Sequence, residues 1–182
     1  MKIDIGCGGR GSVFADFIGI DIHPIPKHPR TAAKYLKLNF IKDELPFKSN
    51  SINFAIALHV IEHLHPTDGE LLISRALDLL KPGAELIVSC PDLDLLCRKF
   101  IERDFDFFNK KHLKSGKEIW PGETIADRLN WAIHQEGHLW SYNLESLTAL
   151  AVRAGCKNIR ELPKDHPYCK RPDHEIGIII TK

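Results

Sequence analysis

Short apolar stretches alternate with polar joints along the chain. Lys2 to Ile5 stops at Gly6, Phe17 to Asp21 stops before Pro24, Tyr35 to Asn39 follows, and Ile52 to Leu58 is almost continuously apolar. Period alone does not separate a buried strand from a short helix, so length and flanking turn residues decide, and here they favour parallel strands covered on both faces. After Leu58 the period changes. Thr67-Asp68-Gly69-Glu70 has the form of a capping box, and Leu72, Ile73, Ala76, Leu79 and Leu80 then share a helical face, which Lys81-Pro82-Gly83 is expected to end. Leu86 to Cys90 reads as the next buried strand, completing a β-α-β unit. Asn143 is placed to cap a helix with Leu144, Leu147, Ala151 and Ala154 on its apolar face, stopped by Gly155. Strands near Asn158 to Leu162 and Glu175 to Thr181 close the pattern, joined by a loop too short for a crossover helix. The chain is therefore predicted to be α/β: a Rossmann-like, mostly parallel sheet with one antiparallel strand near the C-terminus, in a single domain over residues 1–182.

Length and composition agree with that reading. At 182 residues, 43% hydrophobic and 27% charged, the chain can bury a core without staples. A formal charge of +1 gives no global field for nucleic acid or an anionic membrane. Cys7, Cys90, Cys97, Cys156 and Cys169 are odd in number and none are at C-x-x-C spacing, which argues against a disulfide framework or zinc ribbon. No apolar stretch approaches the length of a membrane span. A cytoplasmic protein is expected.

The chemistry gathers after the first strand. Gly6-Cys7-Gly8-Gly9-Arg10-Gly11 removes side chains where a ligand would approach the backbone. Asp21 ends the second strand and, in a parallel sheet, lies beside that bend, where it can accept both hydroxyls of a ribose. The string also fits G-x-G-x-x-G, but Asp21 follows Gly11 by only ten residues, without room for the helix that a dinucleotide pyrophosphate requires. A nicotinamide oxidoreductase is thereby demoted.

In order and content these segments resemble the class I S-adenosylmethionine-dependent methyltransferases. Asp4-Ile5-Gly6-Cys7-Gly8 is similar to the first motif of that family and Gly19-Ile20-Asp21 to its second. Leu45-Pro46-Phe47, Ser51-Ile52-Asn53-Phe54, His59-Val60-Ile61-Glu62-His63-Leu64 and Leu80-Lys81-Pro82-Gly83-Ala84 resemble later segments. The likeness covers roughly residues 2 to 91 and resumes near His138 to Gly155. It implies S-adenosyl-L-methionine as cofactor, with S-adenosyl-L-homocysteine as product. It also implies a binding set of Asp4, Gly6, Cys7, Gly8, Asp21, Ile22, Asn39, Phe40 and His59. Gly6 to Gly8 would face the methionine part, Asp21 the ribose and Ile22 an adenine face, with Asn39 and Phe40 flanking the base. His59 would stand near the transferable methyl. The chain departs from the family in a first crossover cut almost to a loop and in having no helices before strand one.

His59 and His138 are the candidate general bases, since histidine titrates near neutral pH, and Glu62 is a candidate orienter. His59-Val60-Ile61-Glu62-His63 also satisfies H-x-x-E-H, a zinc-protease signature that needs both histidines on one continuous helix. Here His59 ends a strand and the helix starts near Thr67, so no metal is expected and these side chains are read as pocket lining or turn caps.

Residues 92–142 hold eight of the chain's 15 aromatics and all three tryptophans at the edge where open α/β sheets bind ligands. A lid or insert over the acceptor site is one reading, and an aromatic satellite core or dimer contact the other. Lys110, Lys111, His112, Lys114 and Lys117 add a basic stretch that could hold RNA, although the balanced charge favours a small-molecule acceptor. The leading expectation is a methyltransferase of small molecules. A noncatalytic cofactor-binding or partner-binding protein is the alternative, and an RNA methyltransferase ranks below both.

Overall fold

The structure is a computed structural model that describes residues 1–8, 14–24, 34–111 and 116–182. Among the described residues, seven strands form one sheet: β1 (Lys2–Ile5), β2 (Phe17–Asp21), β3 (Tyr35–Lys37), β4 (Ile52–Leu58), β5 (Leu80–Pro91), β6 (Asn158–Glu161) and β7 (Glu175–Thr181). Their order is β3-β2-β1-β4-β5-β7-β6. The first five pair in parallel, and β7 runs antiparallel to both β5 and β6. This is the expected mostly parallel sheet with one reversed strand. Residues 9–13 of the first crossover, with Gly9, Arg10 and Gly11, lie outside the described residues.

Alternation along the strands sorts the core into two layers. Ile3, Ile5, Ala55, Ala57, Leu86 and Val88 pack beneath helices α1 (Pro66–Leu79) and α5 (Leu144–Arg153). Phe17, Ile56, Ile87 and Ile179 face the other way, against Leu162, Phe14 and Tyr168. A third cluster joins α2 (Leu93–Ile101), α3 (Phe105–Phe108) and α4 (Ile125–His134) through Leu96, Phe107, Phe108, Trp120, Ile125 and Ala132. The aromatic-rich segment thus builds a satellite core of its own, with the Phe107 and Trp120 rings 5.4 Å apart.

Two local expectations need correction. Thr67 does not cap α1: His65 is the N-cap residue and Pro66 opens the helix, because a fixed φ and a missing N–H suit the first helical position. The Thr67 hydroxyl lies 3.0 Å from His65 Nδ1 instead. Nor does Lys81-Pro82-Gly83 separate helix from strand. Strand β5 begins at Leu80, paired with Ile52, and this tripeptide occupies a register irregularity before Phe54 meets Glu85.

Helix α5 starts as expected. Asn143 accepts from the Ser146 N–H, Ser146 reciprocates, and the two form a capping box. Asn143→Ala should cost about 1 kcal/mol, the usual value of such a cap, read as a lower urea midpoint at unchanged slope. A midpoint equal to wild type would show the cap to be dispensable.

Candidate functional site

The glycine bend is shaped by what it touches. Gly6 has φ +68°, and a Cβ placed there would come within 2.4 Å of Val60 Cγ2, so only glycine lets β1 end against the turn after β4. The Gly6 N–H donates to the Ile20 carbonyl at 2.8 Å, locking the bend to β2. One residue on, Asp21 turns its carboxylate into the bend, where Oδ2 accepts from the Gly8 N–H at 2.7 Å. Its Oδ1 accepts from the His23 N–H at 3.0 Å and meets His23 Nδ1 at 2.5 Å. Asp21 is buried, whereas the His23 side chain is 62% exposed and is the replaceable member of this set.

Bend and carboxylate open on a cavity of about 590 Å³, within the range of small-molecule sites. Gly6, Gly8, Asp21, Ile22, Asn39, Phe40 and His59, seven of the residues singled out in the sequence, line it. Asp4 and Cys7 are not among its lining residues; Asp4 is buried and Cys7 half-buried. Burial, with Asp4 and Asp21 nearby, pushes the Cys7 thiol up to about 12, so it stays protonated and serves as packing rather than as a nucleophile. Asn39 turns its side-chain oxygen to the Ile41 and Lys42 N–H groups and so shapes its own turn. The lining combines bare backbone at Gly6 and Gly8, the buried Asp21 carboxylate, and apolar Leu38, Phe40 and exposed Ile22.

His59 follows β4 in the left-handed region, φ +55°, a sparsely populated conformation for a non-glycine residue and one that clusters at functional sites. Its Nδ1 faces Glu62 Oε1 at 3.2 Å and its Nε2 faces Glu175 Oε2 at 2.6 Å. Burial alone would depress the imidazole, but hydrogen bonds to Glu175 and Glu62 outweigh it and raise the pKa above the usual histidine value. Because carboxylates only accept, the doubly donating imidazolium satisfies both contacts, and neither nitrogen keeps a free lone pair for abstracting a proton. Glu175 is fully buried; burial would raise its pKa, yet His59, the Cys169 thiol and the Arg171 N–H bring it down to about 2.

His138 is not brought into the cavity. It lines a small recess with Glu62 and Trp140, and burial, offset in part by Glu62, lowers its pKa and favours the neutral ring. The H-x-x-E-H string spans a strand end and a 3₁₀ turn, Ile61–His63, rather than one helix. From the segment 92–142 the described lining of the cavity includes Glu136. Within the basic stretch, Lys110 is tied to His174 at 3.0 Å and sits over the Phe107 ring, while His112 and Lys114 lie outside the described residues. Sequence reasoning missed Glu175, whose one signal is an acid opening an otherwise apolar strand, and His23, whose signal is its place two residues after Asp21.

Sheet order, glycine bend and strand-ending acid define a class I S-adenosylmethionine-dependent methyltransferase fold. The chain belongs to the methyltransferase-domain family, whose model matches residues 3–161, and that family uses S-adenosylmethionine. No curated protein matches the chain. A solved methyltransferase from Archaeoglobus fulgidus is similar at 15% identity and TM-score 0.61, covering 100% of this chain and 85% of its own. One from Thermotoga maritima, described as a possible histamine N-methyltransferase, is 21% identical with TM-score 0.58, covering 100% and 81%. The 1,6-didemethyltoxoflavin-N1-methyltransferase of Burkholderia thailandensis, solved with that compound and S-adenosylhomocysteine, is 14% identical with TM-score 0.58, covering 100% and 70%. The G-x-G-x-x-G string therefore lies within a methyltransferase domain. Among the described residues, no helix is long and apolar enough to cross a membrane.

Proposed function

We propose that this chain is an enzyme that transfers a methyl group from S-adenosylmethionine to a small-molecule acceptor, in the cytoplasm. The observation that carries the reading is the Asp21 carboxylate turned into the glycine bend at the wall of the cavity. Held there, the cofactor would supply a sulfonium-borne methyl to an acceptor lone pair, with sulfur keeping the electrons of the old bond as S-adenosylhomocysteine. Asp21 accepts from the ribose diol, with the exposed His23 ring moving aside, since a carboxylate has about four acceptor positions. Gly6 and Gly8 leave their backbone open to the amino-acid end, and Ile22 and Phe40 enclose the base.

His59 then acts as a fixed, charged element of the cavity wall rather than as the base. His138, kept neutral by burial, retains the character of a base but sits behind the wall. The reading therefore favours an acceptor that arrives with its lone pair available, for which alignment and exclusion of water supply much of the acceleration. Segment 92–142 closes the acceptor end, a role supported by Glu136 reaching the cavity. The small compound held by the Burkholderia relative supports a small-molecule acceptor.

Calorimetric titration with S-adenosylhomocysteine tests the reading. Saturable binding of one equivalent per chain is expected, and no binding at millimolar ligand would overturn it. Methyl release from labelled S-adenosylmethionine across a panel of amines and hydroxyl compounds then separates an enzyme from a noncatalytic binder.

A further inference from the structure

Among the described residues one group of metal-ligating side chains converges: Glu62, His63 and His138, whose donor atoms all lie within 4.8 Å of one another. The backbone builds this approach. Leu139 and Trp140 both donate to the Glu62 carbonyl, at 2.8 and 3.1 Å, which pins the His138 segment against the turn carrying Glu62 and His63. The two imidazoles stand edge to face with centroids 4.8 Å apart. Glu62 is 1% exposed, and while its Oε1 meets His59, its Oε2 is buried with no hydrogen-bond partner. A buried carboxylate oxygen left unpaired is costly, and nearly all such atoms in native proteins have a partner.

We propose that Glu62, His63 and His138 form a binding site for one divalent transition-metal ion. Two imidazoles and one carboxylate are the donor set of open zinc and non-haem iron sites, whereas magnesium and calcium favour oxygen ligands throughout. Metal bonds of about 2.0–2.2 Å put the donors of one ion roughly 3–3.5 Å apart, so the cluster closes by about an ångström on binding. The outer contacts such sites need are in place. His59 holds the second oxygen of Glu62 and is itself anchored by Glu175. Since His63 lines the main cavity while Glu62 and His138 line the recess behind it, the ion sits at the boundary of the two. His59 is not a ligand, so this is a different triad from the one the H-x-x-E-H string names.

The test is equilibrium dialysis of chelator-stripped protein against Zn²⁺ and Co²⁺, with metal analysis and the visible spectrum of the cobalt form. One ion per chain is expected, with cobalt bands whose position reports nitrogen and oxygen ligation. His138→Ala and His63→Ala should each weaken binding at least about tenfold and abolish those bands, while His65→Ala, a neighbouring histidine outside the cluster, should retain them. No retained ion, or equal retention by wild type and His138→Ala, would overturn the proposal. If His63→Ala fails to fold, His138→Ala decides, since it lies on the loop segment. Binding of S-adenosylhomocysteine measured on the same stripped protein reports the cofactor site separately.

Discussion

Replacing Glu175 by Gln should lower stability at neutral pH by about 3 kcal/mol, read as a fall of roughly 6–12 °C in the thermal midpoint for a chain of this size. The side chain keeps its shape, so the loss reports charge. His59 is left buried against one remaining carboxylate, and removing one member of a buried ion pair typically costs about 3–5 kcal/mol. The sign with pH follows from the folded pKa of about 2 against an ordinary 4.5. A depressed carboxylate stabilises the fold fully above 4.5, and this contribution disappears as pH falls through about 2. Because Glu175 also raises the His59 pKa, the gap should widen as pH falls through the histidine range and His59 becomes fully protonated, and close progressively once pH drops below 4.5 towards about 2. Chemical denaturation at a series of pH values measures it. A gap under about 0.5 kcal/mol at pH 7, the scale of an inert surface change, would show that the pair contributes nothing net.

The second large effect is expected on the cofactor. Asp21→Ala removes the acceptor of the Gly8 N–H, which is also the acceptor proposed for the ribose diol. Hydrogen bonds to a charged group are worth about 1.5–3 kcal/mol, so the absence of each ribose hydroxyl bond should weaken S-adenosylhomocysteine binding by about tenfold or more. The same variant frees the bend at Gly8, which adds an entropic cost to binding. Calorimetry on protein with an unchanged far-ultraviolet spectrum is the measurement. Wild-type affinity in that folded variant would remove Asp21 from the site.

How much of this was legible in the chain depends on the sequence distance of each contact. The bend and Asp21 are read together because β1 and β2 are parallel neighbours, with Ile5 opposite Ile20, so that their C-terminal ends meet whatever the crossover does. Strand-length apolar runs give β1, β2, β4 and β7 their observed bounds for the same local reason. Turn chemistry was harder. Pro66 outcompetes Thr67 for the start of α1, and Pro82-Gly83, which reads as a helix stop, is absorbed as an irregularity inside β5. The role of His59 was not legible at all. Its partner Glu175 is delivered by the antiparallel register of β5 and β7, where Pro91 meets Glu175, and no local pattern encodes that pairing. Nor does spacing bring His138 to His63; two backbone hydrogen bonds to the Glu62 carbonyl do so.

The contact between His59 and Glu175 closes a span of 116 residues. During synthesis the strap of β1, β2 and β4 leaves the ribosome long before β7 does, so the nascent chain carries this histidine without its main counter-charge. Contacts so distant along the chain are formed late in folding, after their loop entropy has been met. Binding pocket and charge clamp should therefore mature at different times, the glycine bend first and the imidazolium only when the reversed strand docks.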